Sequence, residues 1–323
     1  MIWFTLAAAV LTWGLTALYI QAMTARGRLD EPNHRSMHAT PKPSGSGIVA
    51  IPLILGLWWL SAPGPGDLNR ALIPCALLLS IVGWIDDIYR LPASKRLITY
   101  LAVIGIYLAL LPRSAQIFPA VPLLLERAVL LLALAWFVNL FNFMDGIDGI
   151  AGSEAAAIGI GFVAVSGIAA PGASLALIIV AAMLGYLVWN WAPGRVMMGD
   201  AGSIPLGFLT GALMLELAFS GQLAAALILP AFFCLDASIT LARRLRAGHS
   251  FHESHKEHFY QRAASACATH ATVVIGMLLA NAGLVASALI SRAHVILGLI
   301  AAAIVMAGFF MWLSLMARKK VPA

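Results

Sequence analysis

Apolar runs of about 15 to 22 residues follow one another along almost the whole of this 323-residue chain. A helix needs about 20 apolar residues to cross a bilayer, whereas a barrel strand needs about ten in alternation, and the runs here are continuous. The expected fold is therefore all-α, a polytopic integral membrane protein. With 61% hydrophobic and 11% charged residues, the chain has too little polar surface for a water-soluble globule of its size. About eleven spans are predicted, near residues 2–22, 47–61, 71–86, 97–112, 122–140, 154–170, 173–191, 204–219, 222–242, 270–290 and 295–316, in one membrane-embedded domain over 1–323. The first 20 residues lack Lys and Arg, so a signal-peptide n-region is missing and the first span reads as a retained helix. Cys75, Cys234 and Cys267 have no paired spacing and read as small hydrophobes, not as a disulfide or zinc framework.

Alternation of these spans divides the basic residues unequally. Arg26, Arg28, Arg35, Lys42, Arg90, Lys95, Arg96, Arg195, Arg243, Arg244, Arg246, Lys256, Arg262, Arg318, Lys319 and Lys320 fall on one side, and Arg70, Arg113, Arg127 and Arg292 on the other. By the positive-inside rule the first side is cytoplasmic, with the N-terminus outside and the C-terminus inside. The polar windows that interrupt the apolar pattern all fall on that same side, which points to one composite site.

The first window is Asp86-Asp87, at the end of a predicted span. Adjacent acids repel, and the arrangement becomes favourable when a divalent cation or a cationic side chain lies beside them. A solvated helix end facing Arg90, Lys95 and Arg96 would explain the pair without a function.

The second window is more specific. In Asn139-x-x-Asn142-x-x-Asp145-x-x-Asp148 an oxygen-bearing side chain recurs every third residue, a stripe on a helix or tight turn that suits a hard cation such as Mg2+ or the polar edges of a nucleotide. Capping of a helix starting near 154 accounts for Asp148 and Ser153 but leaves two Asn residues in an apolar setting. Gly146 and Gly149 allow a ligand to approach the backbone.

The third window, Gly199-Asp200-Ala-Gly-Ser203, precedes an apolar run, so its amides can face an anion while Asp200 faces a metal. The fourth, His249-x-x-His252-x-x-His255-x-x-His258-Phe-Tyr-Gln-Arg262, carries imidazoles and cations suited to a diphosphate; without Cys partners, structural zinc is the weaker reading. Asp236, two turns before Arg243, reads as an intramembrane acid paired with a cation.

These windows, in this order, resemble the polyprenyl-phosphate N-acetylhexosamine-1-phosphate transferases over nearly the whole chain. The carrying segments are Asp86-Asp-Ile-Tyr-Arg-Leu-Pro, Asn139 to Gly152, Met198-Gly-Asp-Ala-Gly-Ser-Ile-Pro-Leu-Gly-Phe and the spaced His repeat ending Phe-Tyr-Gln-Arg262. Leu29-Asp-Glu-Pro-Asn-His-Arg-Ser-Met-His38-Ala-Thr-Pro-Lys-Pro also resembles the family's first loop, although Ser44-Gly-Ser-Gly stands where paired glycines are usual. The spaced histidines are similar to the enzymes that start O-antigen and related bacterial surface glycans. The muramoyl-pentapeptide transferases carry a contiguous triple histidine instead.

The resemblance implies transfer of an N-acetylhexosamine 1-phosphate from a UDP-sugar (UDP-N-acetylglucosamine or a 6-deoxy relative) to undecaprenyl phosphate at the cytoplasmic face of a bacterial inner membrane. It implies Mg2+, with Mn2+ as a substitute, held by Asp200 and Asn142, and catalytic roles for Asp86 and Asp87. Lys95 and Arg96 would hold the lipid phosphate. Asn139, Asp145, Asp148, His252, His255, His258 and Arg262 would bind the nucleotide sugar. The implied partners are the two substrates and the bilayer, with a homodimer left open and no nucleic acid. Direct attack and an aspartyl-phosphate route both remain open at this point. The competing reading is a divalent-cation transporter with a His-rich sensor loop, but transporters place polar ligands near mid-membrane on broken helices. A purely structural membrane scaffold would not require the Asn-Asp stripe.

Overall fold

The computed structural model describes residues 1–32, 36–61, 71–249, 255–267 and 269–318. His252 lies outside these residues. The described chain forms thirteen helices: α1 (Ile2–Ala25), α2 (Gly47–Ser61), α3 (Leu72–Tyr89), α4 (Ala93–Leu110), α5 (Leu123–Met144), α6 (Ile150–Ser166), α7 (Ala173–Asn190), α8 (Asp200–Phe219), α9 (Leu223–Ile228), α10 (Ala231–Arg246), α11 (Phe259–Cys267), α12 (His270–Ser291) and α13 (Val295–Arg318). No strand occurs among the described residues, only an isolated antiparallel bridge between Asp30 and Lys42.

Among the described residues seven helices, α1, α3, α5, α7, α8, α12 and α13, are long and apolar enough to cross a membrane, and α2 and α6 are apolar but shorter. The protein is thus polytopic and helical, with fewer full-length spans than the eleven expected. Ten of the expected spans each coincide with one helix, although α4 carries Lys95 and Arg96 in its first turn. The span expected over 222–242 is instead broken: Leu229 and Pro230 separate α9 from α10, since proline lacks the amide that would continue the ladder. The second half, α10, ends in Arg243, Arg244 and Arg246 and buries Asp236, a composition for a helix that leaves the apolar layer.

Helix α8 is the centre of the bundle: 83% of its apolar window is buried, against 17% for α1 and 22% for α13. Small residues let its neighbours approach. A Cβ on Gly47 of α2 would overlap the Gly202 backbone, and one on Gly83 of α3 would overlap the Asp200 carbonyl. Ser80 of α3 donates to the Ala201 carbonyl at 2.8 Å, and Gly207 and Gly211 of α8 accept the rings of Phe141 and Phe137 from α5. The aromatic packing continues from Phe141 through Phe233 and Phe232 to Phe309 of α13, with neighbouring centroids 5.0–5.7 Å apart.

This close packing fixes where the polar windows go. The C-terminal end of α3, the C-terminal end of α5, the N-terminal end of α8 and the loop after α1 meet at one end of the bundle.

Candidate active site

The site is built around the first turn of α8. Gly199 precedes it with φ 71, a left-handed conformation suited to glycine, and offers no side chain to cap the helix. The missing cap comes from α3: the amides of Asp200 and Ala201 donate to Asp87 Oδ1 and Oδ2 at 2.9 and 3.0 Å. Both oxygens of Asp87 are thereby committed to free helix amides, a favourable place for an anion. Tyr19 Oη donates to the Ser44 carbonyl at 2.6 Å, and the loop after α1 packs Gly45 against Asp87.

Asp86 and Asp200 share a cation. Arg96 Nη1 donates to Asp86 Oδ2 at 2.7 Å and to Asp200 Oδ2 at 3.1 Å, and the Leu91 amide donates to Asp86 Oδ1. One turn into α8, Ser203 Oγ donates to Asn142 Oδ1 at 2.7 Å and lies 3.1 Å from the Gly199 carbonyl. The chain therefore brings Asp86, Asp87, Arg96, Asn142 and Asp200 to the same helix terminus. Among the described residues no cluster of three His, Cys, Asp or Glu side chains stands in metal-holding geometry. The hard oxygens of Asp200 and Asn142, joined through one turn of α8, still suit Mg2+, which typically takes one or two protein ligands and completes its shell with water and substrate phosphate.

The Asn-Asp stripe divides. Asn139 and Asn142 lie one turn apart near the end of α5, whereas Asp145 closes that helix and Asp148 sits in the short loop before α6. The alternative reading, in which Asp148 caps the next helix, does not hold, because α6 begins at Ile150 with Gly149 at its N-cap and no side-chain cap. Asp148 instead pairs with Lys42, accepts from the Gly194 amide at 3.0 Å, and lies 3.3 Å from His270 Nδ1. With Lys42 and Asp148 side chains only 6% and 11% exposed, this buried junction ties the loop after α1 to three other segments. Burial raises the Asp148 carboxyl, but hydrogen bonds from His270 and Lys42 outweigh it and hold the group well below the ordinary carboxylate range.

Asp145 behaves in the opposite way. Burial, reinforced by the charges of Asp148 and Asp87, pushes its carboxyl up to about 7. Two acids three residues apart thus differ in protonation tendency because one has cationic partners and the other is mainly buried beside like charge.

The His segment is partly described. His255 stacks on His258 with centroids 4.9 Å apart, and Arg262 is exposed on α11. Tyr260 Oη donates to the Phe143 carbonyl at 3.2 Å, which seats the start of α11 against the loop carrying Asp145. Lys95 is exposed, while Arg96 is turned toward the two carboxylates. Sequence reasoning did not single out Lys42, Ser203 or His270 as site residues; Lys42 stood within the Thr-Pro-Lys-Pro segment, and nothing in the sequence marked His270. Asp236, expected to pair with a cation, instead meets His258, the Thr240 hydroxyl and two backbone amides of α11.

The chain is similar in sequence to known proteins. The sequence profile of glycosyl transferase family 4 matches residues 70–218, which include both acids of α3, the Asn-Asp stripe and Asp200. The chain is 27% identical over 272 residues, 77% of its length and 74% of the relative's, to a Bacillus subtilis protein named as a probable undecaprenyl-phosphate N-acetylglucosaminyl 1-phosphate transferase. It is 26% identical over 318 residues, 84% and 77% of the two chains, to a Mycobacterium tuberculosis decaprenyl-phosphate N-acetylglucosaminephosphotransferase. It is also 29% identical over 266 residues, 75% and 72%, to a phospho-N-acetylmuramoyl-pentapeptide-transferase of Picosynechococcus.

Proposed function

This chain belongs to glycosyl transferase family 4, the polyprenyl-phosphate sugar-phosphate transferases, and from that premise we propose that it moves an N-acetylhexosamine 1-phosphate from a UDP-sugar to undecaprenyl phosphate. UMP is the second product. The observation that carries the reading is the meeting of Asp86, Asp87, Arg96, Asn142 and Asp200 at the first turn of α8. The charge asymmetry of the loops supports a site at the cytoplasmic face of a bacterial inner membrane, where a soluble nucleotide and a lipid phosphate can both arrive. A mid-membrane ion pathway is not what this arrangement would build, since its polar groups lie at helix ends.

In the proposed reaction an oxygen of the lipid phosphate attacks the sugar-bearing phosphorus, and the bond from that phosphorus to the oxygen of UMP breaks. A phosphomonoester is already mostly dianionic near neutral pH, so the nucleophile needs positioning more than deprotonation. Asp86 and Asp87 each have donors on both oxygens, which favours their acting as fixed anions over attack by a carboxylate. Asp87 holds the α8 terminus so that Asp200 is presented to the site. Asp86 holds Arg96 beside it, where the guanidinium balances the carboxylates and stands ready to meet a phosphate. Asp200 and Asn142 would hold Mg2+, or Mn2+ in its place, which when bound neutralises charge on the departing UMP. Lys95 lies nearer solvent for the lipid phosphate. Asn139, Asp145, His255, His258 and Arg262 would meet the nucleotide sugar, and the buried Lys42 pair makes Asp148 a support for that surface.

UDP-N-acetylglucosamine or a 6-deoxy relative is the proposed donor, and a surface glycan such as O-antigen the proposed destination. The test is purified, folded protein with undecaprenyl phosphate, Mg2+ and a panel of UDP-sugars, read as UMP release and lipid-linked product. Release with one UDP-N-acetylhexosamine is expected. No release with any of them would refute the proposal.

A further inference from the structure

We infer that Asp236 is a positioning residue for His258, fixing which ring nitrogen that imidazole offers to a ligand. Asp236 is fully buried on α10, yet it does not pair with the arginines that end its own helix. Its Oδ1 accepts from the Phe259 amide at 3.0 Å and lies 3.2 Å from both His258 Nδ1 and Thr240 Oγ1, while Oδ2 accepts from the Tyr260 amide at 3.1 Å. Two amides and a hydroxyl thus donate to the carboxylate, and the imidazole nitrogen is its fourth polar contact.

A carboxylate facing Nδ1 selects the tautomer with the proton on Nδ1, because the other tautomer would set a lone pair against the anion. Nε2 is then the nitrogen left to the site, as an acceptor in the neutral ring or as an N–H donor in the cation. Stacking with His255 at 4.9 Å and Tyr260 at 5.7 Å also holds the ring plane. The same carboxylate caps the first amides of α11, whose Tyr260 reaches the Phe143 carbonyl of α5. One buried acid therefore sets both the orientation of His258 and the seat of its helix against the Asn-Asp loop. The wider consequence, that Nε2 meets a donor phosphate oxygen, rests on the function proposed above.

The direct experiment is 15N-histidine NMR of the full-length protein in nanodiscs, with His258→Gln used to identify the resonance. The expected result is the Nδ1–H form in the wild type and loss of that preference in Asp236→Asn. An Nε2–H form in the wild type overturns the inference, and this readout does not depend on transfer activity. Kinetics supply the second arm. Asp236→Asn is expected to lower kcat about 10- to 100-fold with the KM for undecaprenyl phosphate unchanged, the range typical of losing an orienting partner. His258→Gln should do the same, and the double variant should be no worse than His258→Gln alone. Multiplying losses in the double variant would make Asp236 a helix cap only and overturn the positioning role. A wild type inactive with every UDP-sugar would instead refute the proposed function, leaving the tautomer result to decide this inference.

Discussion

Asp200 donates its backbone amide to Asp87 Oδ1 at 2.9 Å, so a carboxylate on α3 starts the central helix of the bundle 113 residues later. The contact joins fold and chemistry, because it caps α8 and sets the position from which the Asp200 side chain works.

Replacing Asp87 by Asn should therefore affect both. Asn keeps the volume but has one acceptor oxygen, which leaves one of the two amides unmet, and it removes the charge that favours a helix N-terminus. Stability is expected to fall by about 1–2 kcal/mol, in the range for lost caps, while UMP release is abolished in protein that still folds. Thermal unfolding in detergent beside an activity assay checks this; undiminished turnover would remove Asp87 from the machinery.

Asp145 should trade stability for function in a pH-dependent way. Its carboxyl rises from 3.8 to about 7, chiefly through burial. Well below pH 3.8 the acid is neutral in both folded and unfolded chains and adds no penalty. As pH rises to about 7 the unfolded chain ionises freely and the folded one resists, so folded-state stability is lost across that window and stays lost above it. Asp145→Asn is thus expected to raise the melting temperature at pH 8, to change it little at pH 4, and to weaken use of the UDP-sugar. Equal shifts at both pH values would contradict the assignment.

The buried Lys42–Asp148 pair should respond differently. Because the Asp148 carboxyl is held well below its ordinary range, its stabilising contribution is present above that range and disappears as pH falls through the lowered value. Lys42→Met removes the main cation and leaves a buried charge, a change expected to cost about 3–5 kcal/mol. Melting temperatures of Lys42→Met, Asp148→Asn and the double variant at pH 7 form the test, and the double variant should be less destabilised than the sum.

A methyl group at residue 146 should unseat α11. A Cβ on Gly146 would overlap Tyr260 Oη and approach Gln261 Nε2 at 3.0 Å. Gly146→Ala is expected to lower activity at least tenfold, by order of magnitude, as small displacements of positioning groups do. Adding Tyr260→Phe removes the clashing oxygen along with one hydrogen bond, so the double variant should regain part of the loss. No recovery would mean that the methyl acts elsewhere.

Chelation bears on the proposed metal. EDTA should stop transfer and Mg2+ restore it, and Asp200→Asn and Asn142→Ala should each weaken Mn2+ binding measured by electron paramagnetic resonance. Unchanged Mn2+ affinity in both variants would remove those ligands from the proposal.

Much of the helical pattern was legible because apolar length is a local property. Ten expected spans each find a helix, and the expected 47–61 has the same bounds as α2. The break at Leu229–Pro230 was also written locally, in Pro230, but the apolar residues on either side concealed it. The site was legible as a set of residue types, though not as contacts. Asp86 and Asp87 are neighbours with the same chemistry, yet successive helical residues point about 100° apart; one turns to Arg96 and the other to the α8 amides. Asp148 reads as part of the nucleotide-sugar stripe, and its buried partner Lys42, 106 positions away, is invisible to any local pattern.

What the sequence alone determined is the solvent of this protein, its helical character and the residue types present at its polar interruptions, since each follows from hydrophobicity and spacing within a short window. Which acid caps a helix, which pairs with a cation and which is buried beside like charge was decided only by tertiary structure. Burial and hydrogen-bond donors arrive from distant segments, and they set the opposite behaviour of Asp145 and Asp148 through desolvation and charge that no local pattern encodes.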